Sequence, residues 1–187
     1  MIASAFRNFY WGFFLIMVDF RISGLEILPD VIGYILLAGG LGTLAEQNEW
    51  FMRARGYVWP AMILSVFQLY ERPAEGIGVH ITWGSGMTLI LGLAMAVLSL
   101  LAVYNLFMGI REMASRAGKT SIADEALTKW NQYLGVAVAG LLSFILAFIP
   151  LIGFLLILGL FALNLILATE IMRLMRRCET ELGEAPK

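Results

Sequence analysis

The sequence predicts an all-α fold: a polytopic integral membrane protein built as a six-transmembrane-helix bundle, with N- and C-termini cytoplasmic. Three observations predict it. Apolar residues make up 60% of the 187 and charged residues only 14%, against about 25% charged in soluble domains. Those apolar residues fall into six long segments, at 6–22, 29–45, 57–70, 84–110, 130–149 and 151–172. The basic residues then collect on one side of the resulting thread.

Each segment reads as a helix, because in lipid every backbone donor and acceptor must be satisfied within the segment. Barrel strands would instead show short alternating runs of about ten residues, and the chain has none. The first segment resembles a signal peptide superficially, but its small residues Ala3, Ser4 and Ala5 precede the apolar run, where a cleavage site would follow it. The first span is expected to be retained. The second opens at Pro29 and Asp30, a proline suited to the first helical position with an acid beside the positive helix end. Leu28, preceding proline, is biased to extended conformation, so Glu26 is expected outside that helix.

The third segment, at 14 residues, is short of the roughly 17–25 that a span needs. Charge placement decides for it. With six spans and the N-terminus inside, Arg7, Arg53, Arg55, Arg111, Arg116, Lys119, Lys129, Arg173, Arg176, Arg177 and Lys187 lie inside, and only Arg21 and Arg72 outside. That split of 11 to 2 is steeper than the 9 to 4 of the best five-span arrangement, and basic residues concentrate in cytoplasmic loops. The third helix is therefore expected to extend into flanking residues such as Ala54 and Glu71.

Between the fourth and fifth segments, the connection 111–129 has organisation of its own. Thr120 or Ser121 can cap a helix, Asp124 and Glu125 follow at its positive end, and Glu125 and Lys129 stand four apart in the favourable order. The fifth helix is expected to begin in water. The domain reading is a single transmembrane domain over 1–176 and a short, frayed cytoplasmic tail over 177–187. GYILLAG (33–39), GMTLILG (86–92) and GFLLILG (153–159) allow either an internal repeat of three hairpins or the coincidence of common membrane residues.

Small residues mark expected helix contacts. Gly135, Ala139, Ser143 and Ala147 recur every fourth residue of the fifth helix, as Ala38 and Gly42, and Gly92 and Ala96, do elsewhere; such spacing lets backbones approach closely. Packing within the bundle is the plainer reading and a homo-oligomer face the sharper one.

No catalytic constellation survives inspection. GKT at 118–120 lacks the glycine and strand of a phosphate-binding loop and reads as a turn and helix cap. WGSG at 83–86 lacks the glycine two before the serine that intramembrane serine proteases carry, and no second histidine accompanies His80. One His and one Cys, on opposite sides, cannot share a metal. Cys178 has no partner for a disulfide within the chain. A net charge of −1 without a basic patch argues against nucleic acid. An enzyme is not expected, and no cofactor is implied.

The candidate binding residues are polar groups in unusual places. Asp19, Arg21, Glu26 and Asp30 cluster in DFRISGLEILPD; with Glu71 and Glu75 against Arg72, they leave the outer face at −3 and the inner face at +2. Asp19 and Arg21, two apart, would not face each other on a helix and need partners elsewhere or water. An acidic vestibule attracts cations or amine-bearing solutes; a solvated loop explains the same charges and is the plainer reading. Among Ser65, Gln68, Ser99, Asn105, Ser143, Asn164 and Glu170, Asn164 stands nearest the middle of its helix. It is either an interhelical hydrogen bond, the plainer reading, or a ligand contact. Glu170, close to Arg173, is expected to pair at the interface.

Asp19-Phe20-Arg21-Ile22 followed by Ile27-Leu28-Pro29-Asp30-Val31-Ile32-Gly33-Tyr34 resembles a pattern in small, uncharacterised polytopic membrane proteins of Gram-positive, often spore-forming bacteria. The resemblance implies a bacterial cytoplasmic membrane and no assigned activity. In size and topology alone, the chain is similar to substrate-binding subunits of energy-coupling vitamin transporters. Two functions stay open: binding or passage of a small solute, with a polar cavity opening outward between the first three spans; and a non-catalytic accessory role through the 111–129 loop, the tail and the fifth-helix stripe, in a tightly packed bundle.

Overall fold

The computed structural model describes residues 1–17, 21–22, 25–26, 30–68, 85–146 and 150–183. They form six helices: α1 (Ile2–Met17), α2 (Asp30–Leu44), α3 (Glu49–Gln68), α4 (Ser85–Arg116), α5 (Thr120–Leu146) and α6 (Pro150–Glu181). Each coincides with one of the six apolar segments. Between α1 and α2 runs a two-residue antiparallel ladder, β1 (Arg21–Ile22) with β2 (Leu25–Glu26), which sets Arg21 opposite Glu26. Among the described residues, two stretches are both long and apolar enough to cross a membrane, Ile90–Arg116 and Leu158–Glu181, while α2 is apolar but shorter.

Every helix packs on its neighbours in sequence, and α1 packs on α6, so the six close into a ring. The ring is filled. Phe13 of α1 stacks on Phe107 of α4 with centroids 6.1 Å apart, and Phe6, Phe9, Phe51, Leu41, Ile110, Ile122, Ile171 and Leu174 are fully buried around them. This core gathers at the end that holds the start of α1, the end of α6 and the α2–α3 and α4–α5 turns. Toward the other end α5 and α6 present Leu134, Val138, Leu141, Leu142, Leu158, Phe161 and Ile166 to the surroundings.

The backbone contacts differ from those that small-residue spacing predicts. Gly135 has open space where a Cβ would sit, as has Gly92. Ala139 and Ser143 are half-buried, the Ser143 hydroxyl donates to the Gly140 carbonyl of its own helix, and Ala147 lies outside the described residues. The face α5 turns inward carries Ile122, Ala126, Trp130 and Tyr133, so it is the register of the aromatic and aliphatic residues that sets the helix's rotation. Close approach occurs between α1 and α2 instead, where Gly12 and Gly33 face each other and Gly40 lies against Phe9.

The α3 helix covers its short apolar segment by extending back to Glu49, with Ala54 fully buried; Glu71 lies outside the described residues. Asn48 makes that extension possible. Its Oδ1 accepts from the Phe51 N–H at 3.2 Å, capping the helix, while its Nδ2 donates to the Gly109 carbonyl of α4 at 3.1 Å.

The 111–129 connection is nearly all helix. Gly118, at φ +71°, ends α4: the Lys119 N–H donates to the Ala114 carbonyl at 2.8 Å and the Gly118 N–H to that of Ser115 at 3.1 Å, the Schellman pattern. The first bonds of α5, from the Ile122 and Ala123 N–H groups, go to the Lys119 carbonyl. Lys119 thus stands at the cap position assigned above to Thr120 or Ser121, because one residue separates the glycine stop from α5. Gly118→Val, forced into a left-handed conformation, is expected to cost about 1–2 kcal/mol, read as a lower midpoint of thermal unfolding.

Nor is the tail frayed over its described residues, 177–183. α6 continues to Glu181 with Leu174, Met175, Cys178 and Leu182 buried, an apolar stripe at helical spacing that packs the end of α6 into the core. Burial, reinforced by the Glu125 carboxylate, pushes the Cys178 thiol well up, which keeps it protonated and unreactive at neutral pH. Tertiary ion pairs replace the local ones: Glu125 takes Arg177 instead of Lys129, and Lys129 reaches Glu170 of α6 at 2.6 Å, which leaves Arg173 out of the pair.

Candidate functional site

Polar side chains in apolar helices usually satisfy themselves locally, and three here do. The Ser65 hydroxyl donates to the Met62 carbonyl at 2.8 Å, the Asn105 amide to that of Leu101 at 2.7 Å, and Ser143 to Gly140 at 2.8 Å. Asn164 does not follow them. Its Oδ1 is buried without a hydrogen-bond partner among the described residues, an omission that costs about 1–3 kcal/mol in a folded chain.

Asn164 lies on α6 between Leu160 and Leu167, one helical turn from each, and lines a cavity of about 320 Å³. Met17 of α1 closes one side, and Tyr133, Val136, Ala137 and Gly140 of α5 form another. Those α5 positions recur at three and four residues, so one face of the helix supplies them. The walls are apolar apart from Asn164 and Tyr133, a pattern in which few polar groups fix orientation.

Tyr133 joins this cavity to a second polar group. It also lines, with Met17, Phe13, Tyr34 and Ser99, a void of about 20 Å³, room for about one water molecule. There the Tyr34 and Ser99 hydroxyls hydrogen-bond at 2.8 Å, tying α2 to α4. Asp30, at the start of α2, stands one helical turn before Tyr34. A polar seam thus runs from Asp30 and Tyr34 through Ser99 and Tyr133 to Asn164, drawing on four helices.

Of the residues picked from sequence, Asn164 lines the cavity and Asp30 stands at the α2 end of the seam. Arg21 and Glu26 lie opposite each other in the backbone register of the β ladder. Asp19 is outside the described residues, as are Glu71, Glu75 and His80. The cavity opens between α1, α5 and α6, not between the first three helices, because α1 packs closely on α2 through Gly12, Gly33 and Gly40. Tyr34 and Tyr133 escaped the sequence reading, since a tyrosine in an apolar helix counts as part of the core until its hydroxyl is placed. Among the described residues no three His, Cys, Asp or Glu side chains group as metal ligands would.

Comparison with known protein families, curated proteins and solved structures yields no match.

Proposed function

We propose that this chain is a multi-pass protein of the bacterial cytoplasmic membrane that binds, or passes, a small amine-bearing or cationic solute at the α1/α5/α6 cavity. All six helices span in this reading, with both termini cytoplasmic. The apolar faces that α5 and α6 leave uncovered support a lipid surrounding, the 11-to-2 division of basic residues supports the orientation, and the resemblance at 19–34 supports the bacterial setting.

The observation that carries the solute reading is the buried, unpartnered Asn164 carbonyl oxygen in a cavity of ligand size. It is an acceptor, so it selects a donor, and an ammonium group offers three. Asp30, an acid at the other end of the seam, supplies the complementary charge. A bundle packed only to hold its shape gains nothing from an acceptor left in that position. The accessory alternative has less to work with, since the 111–129 loop shrinks to the turn 117–119.

The test is the thermal stability of detergent-purified protein against a panel of primary amines, diamines and inorganic cations. A ligand that binds only the folded state at 100 times its Kd adds about 2.7 kcal/mol. Wild type is expected to gain from at least one amine, and Asn164→Leu and Asp30→Asn to lose that gain. Asn164→Leu also removes an unsatisfied polar atom, so without ligand it should be as stable as wild type or more so. A panel without any shift, or shifts unchanged in both variants, refutes the solute site.

A further inference from the structure

We propose that the groove between α2 and α3 is a binding site for one anionic phospholipid of the cytoplasmic leaflet, with an acyl chain along the groove and its phosphate on Arg55. The groove holds about 660 Å³ and runs from Val31 and Val66 at one end to Gly42 and Arg55 at the other. Eleven helical steps separate those ends on each helix, about 16 Å at ~1.5 Å per residue. One leaflet of a hydrocarbon core about 30 Å thick is about 15 Å deep. The groove therefore matches the length of one leaflet's chains.

Its chemistry changes along that length as a phospholipid's does. Gly39 and Gly42 flatten the α2 wall, and Trp59, one turn beyond Arg55, is half exposed on the α3 wall, where an amphipathic ring marks the membrane boundary. Arg55 is the single charge in the lining. Its guanidinium carbon lies 3.9 Å from where a Cβ on Gly42 would be, so it caps the groove. The neighbouring Arg53 is occupied, bonded to Glu49 at 2.8 Å and stacked on Trp50; Arg55 makes no ion pair among the described residues. A planar, weakly hydrated guanidinium suits a phosphate bidentately. A zwitterionic headgroup carries its own ammonium to that phosphate, so an unpaired arginine favours the anionic lipid.

This inference rests on the membrane placement proposed above but not on the solute site. The experiment is native mass spectrometry of detergent-purified protein with phosphatidylglycerol and phosphatidylcholine added in equal amounts. Wild type is expected to retain one phosphatidylglycerol in preference, at least about fivefold. Arg55→Gln should abolish the preference, Gly42→Leu should reduce retention of both lipids, and Arg53→Gln should behave as wild type. Equal retention of the two lipids by wild type, unchanged preference in Arg55→Gln, or equal loss in Arg53→Gln overturns the site. So does a two-chain species without lipid, which would make the groove a dimer contact. Carbonate extraction of the source membranes separates the two readings: a chain released by carbonate refutes the membrane placement itself, and a retained chain without lipid preference refutes only the groove.

Discussion

Gly40→Leu is expected to lower stability by about 1–3 kcal/mol, the range for overpacking a close contact, and to lower it more than any other glycine substitution on α2. A Cβ at Gly40 would lie 2.5 Å from Cε1 of Phe9 and 2.9 Å from the Ala5 carbonyl oxygen. Phe9 is fully buried, so its ring has nowhere to turn. The carbonyl belongs to the α1 backbone, so relief requires the whole helix to move. Gly33→Leu probes the same crossing, because a Cβ there would lie 2.6 Å from Ile16 and 3.0 Å from the Gly12 carbonyl oxygen. Gly135→Leu, pointing into open space, should stay within about 0.5 kcal/mol of wild type. Denaturation of the purified variants by increasing detergent or heat reads the difference. A Gly40→Leu protein as stable as Gly135→Leu would mean that α1 and α2 do not cross at Gly12, Gly33 and Gly40.

That contrast also shows what was legible in the sequence. Six helices follow from six apolar runs, since buried backbone donors and acceptors must find partners and a helix supplies them within the segment. Which face of a helix meets which neighbour is a tertiary property that spacing does not carry: Gly135 and Ala139 keep a fourfold spacing as regular as any, yet Gly12, Gly33 and Gly40, scattered over two helices, make the close contact. The start of α5 near Thr120 was legible from its capping residues and first-turn acids, whereas other helix ends were not. Hydropathy falls at Arg111 and Arg173, but α4 and α6 continue through them, because Ala114, Leu174 and Cys178 keep packing beyond the apolar stretch. Asn164 was legible as a lone amide in an apolar helix; its cavity was not, because Met17 and Tyr133, which help to enclose it, look like core residues until the helices are assembled.

Lys129→Met is expected to cost about 2 kcal/mol, whereas the double variant Lys129→Met, Glu170→Leu should recover most of it. The lysine ammonium reaches Glu170 at 2.6 Å and Gln132 at 3.0 Å, with its side chain 11% exposed and that of Glu170 35%. Removing one partner of a fully buried pair costs about 3–5 kcal/mol because the other charge is stranded; partial access of water to Glu170 lowers the figure here. Two apolar side chains would bury the same α5–α6 contact with no charge to desolvate, so the recovery separates stranding from lost packing. The nearby Lys119–Glu181 pair provides the control. At 3.6 Å, with side chains 48% and 33% exposed, it should be worth at most about 1 kcal/mol, and Lys119→Met should pass nearly unnoticed. Should Lys129→Met prove equally mild, or the double variant lose as much as the single one, the Lys129–Glu170 bond would not be what fixes α5 against α6. The local pairing of Glu125 with Lys129 that the sequence favours would then again describe the start of α5.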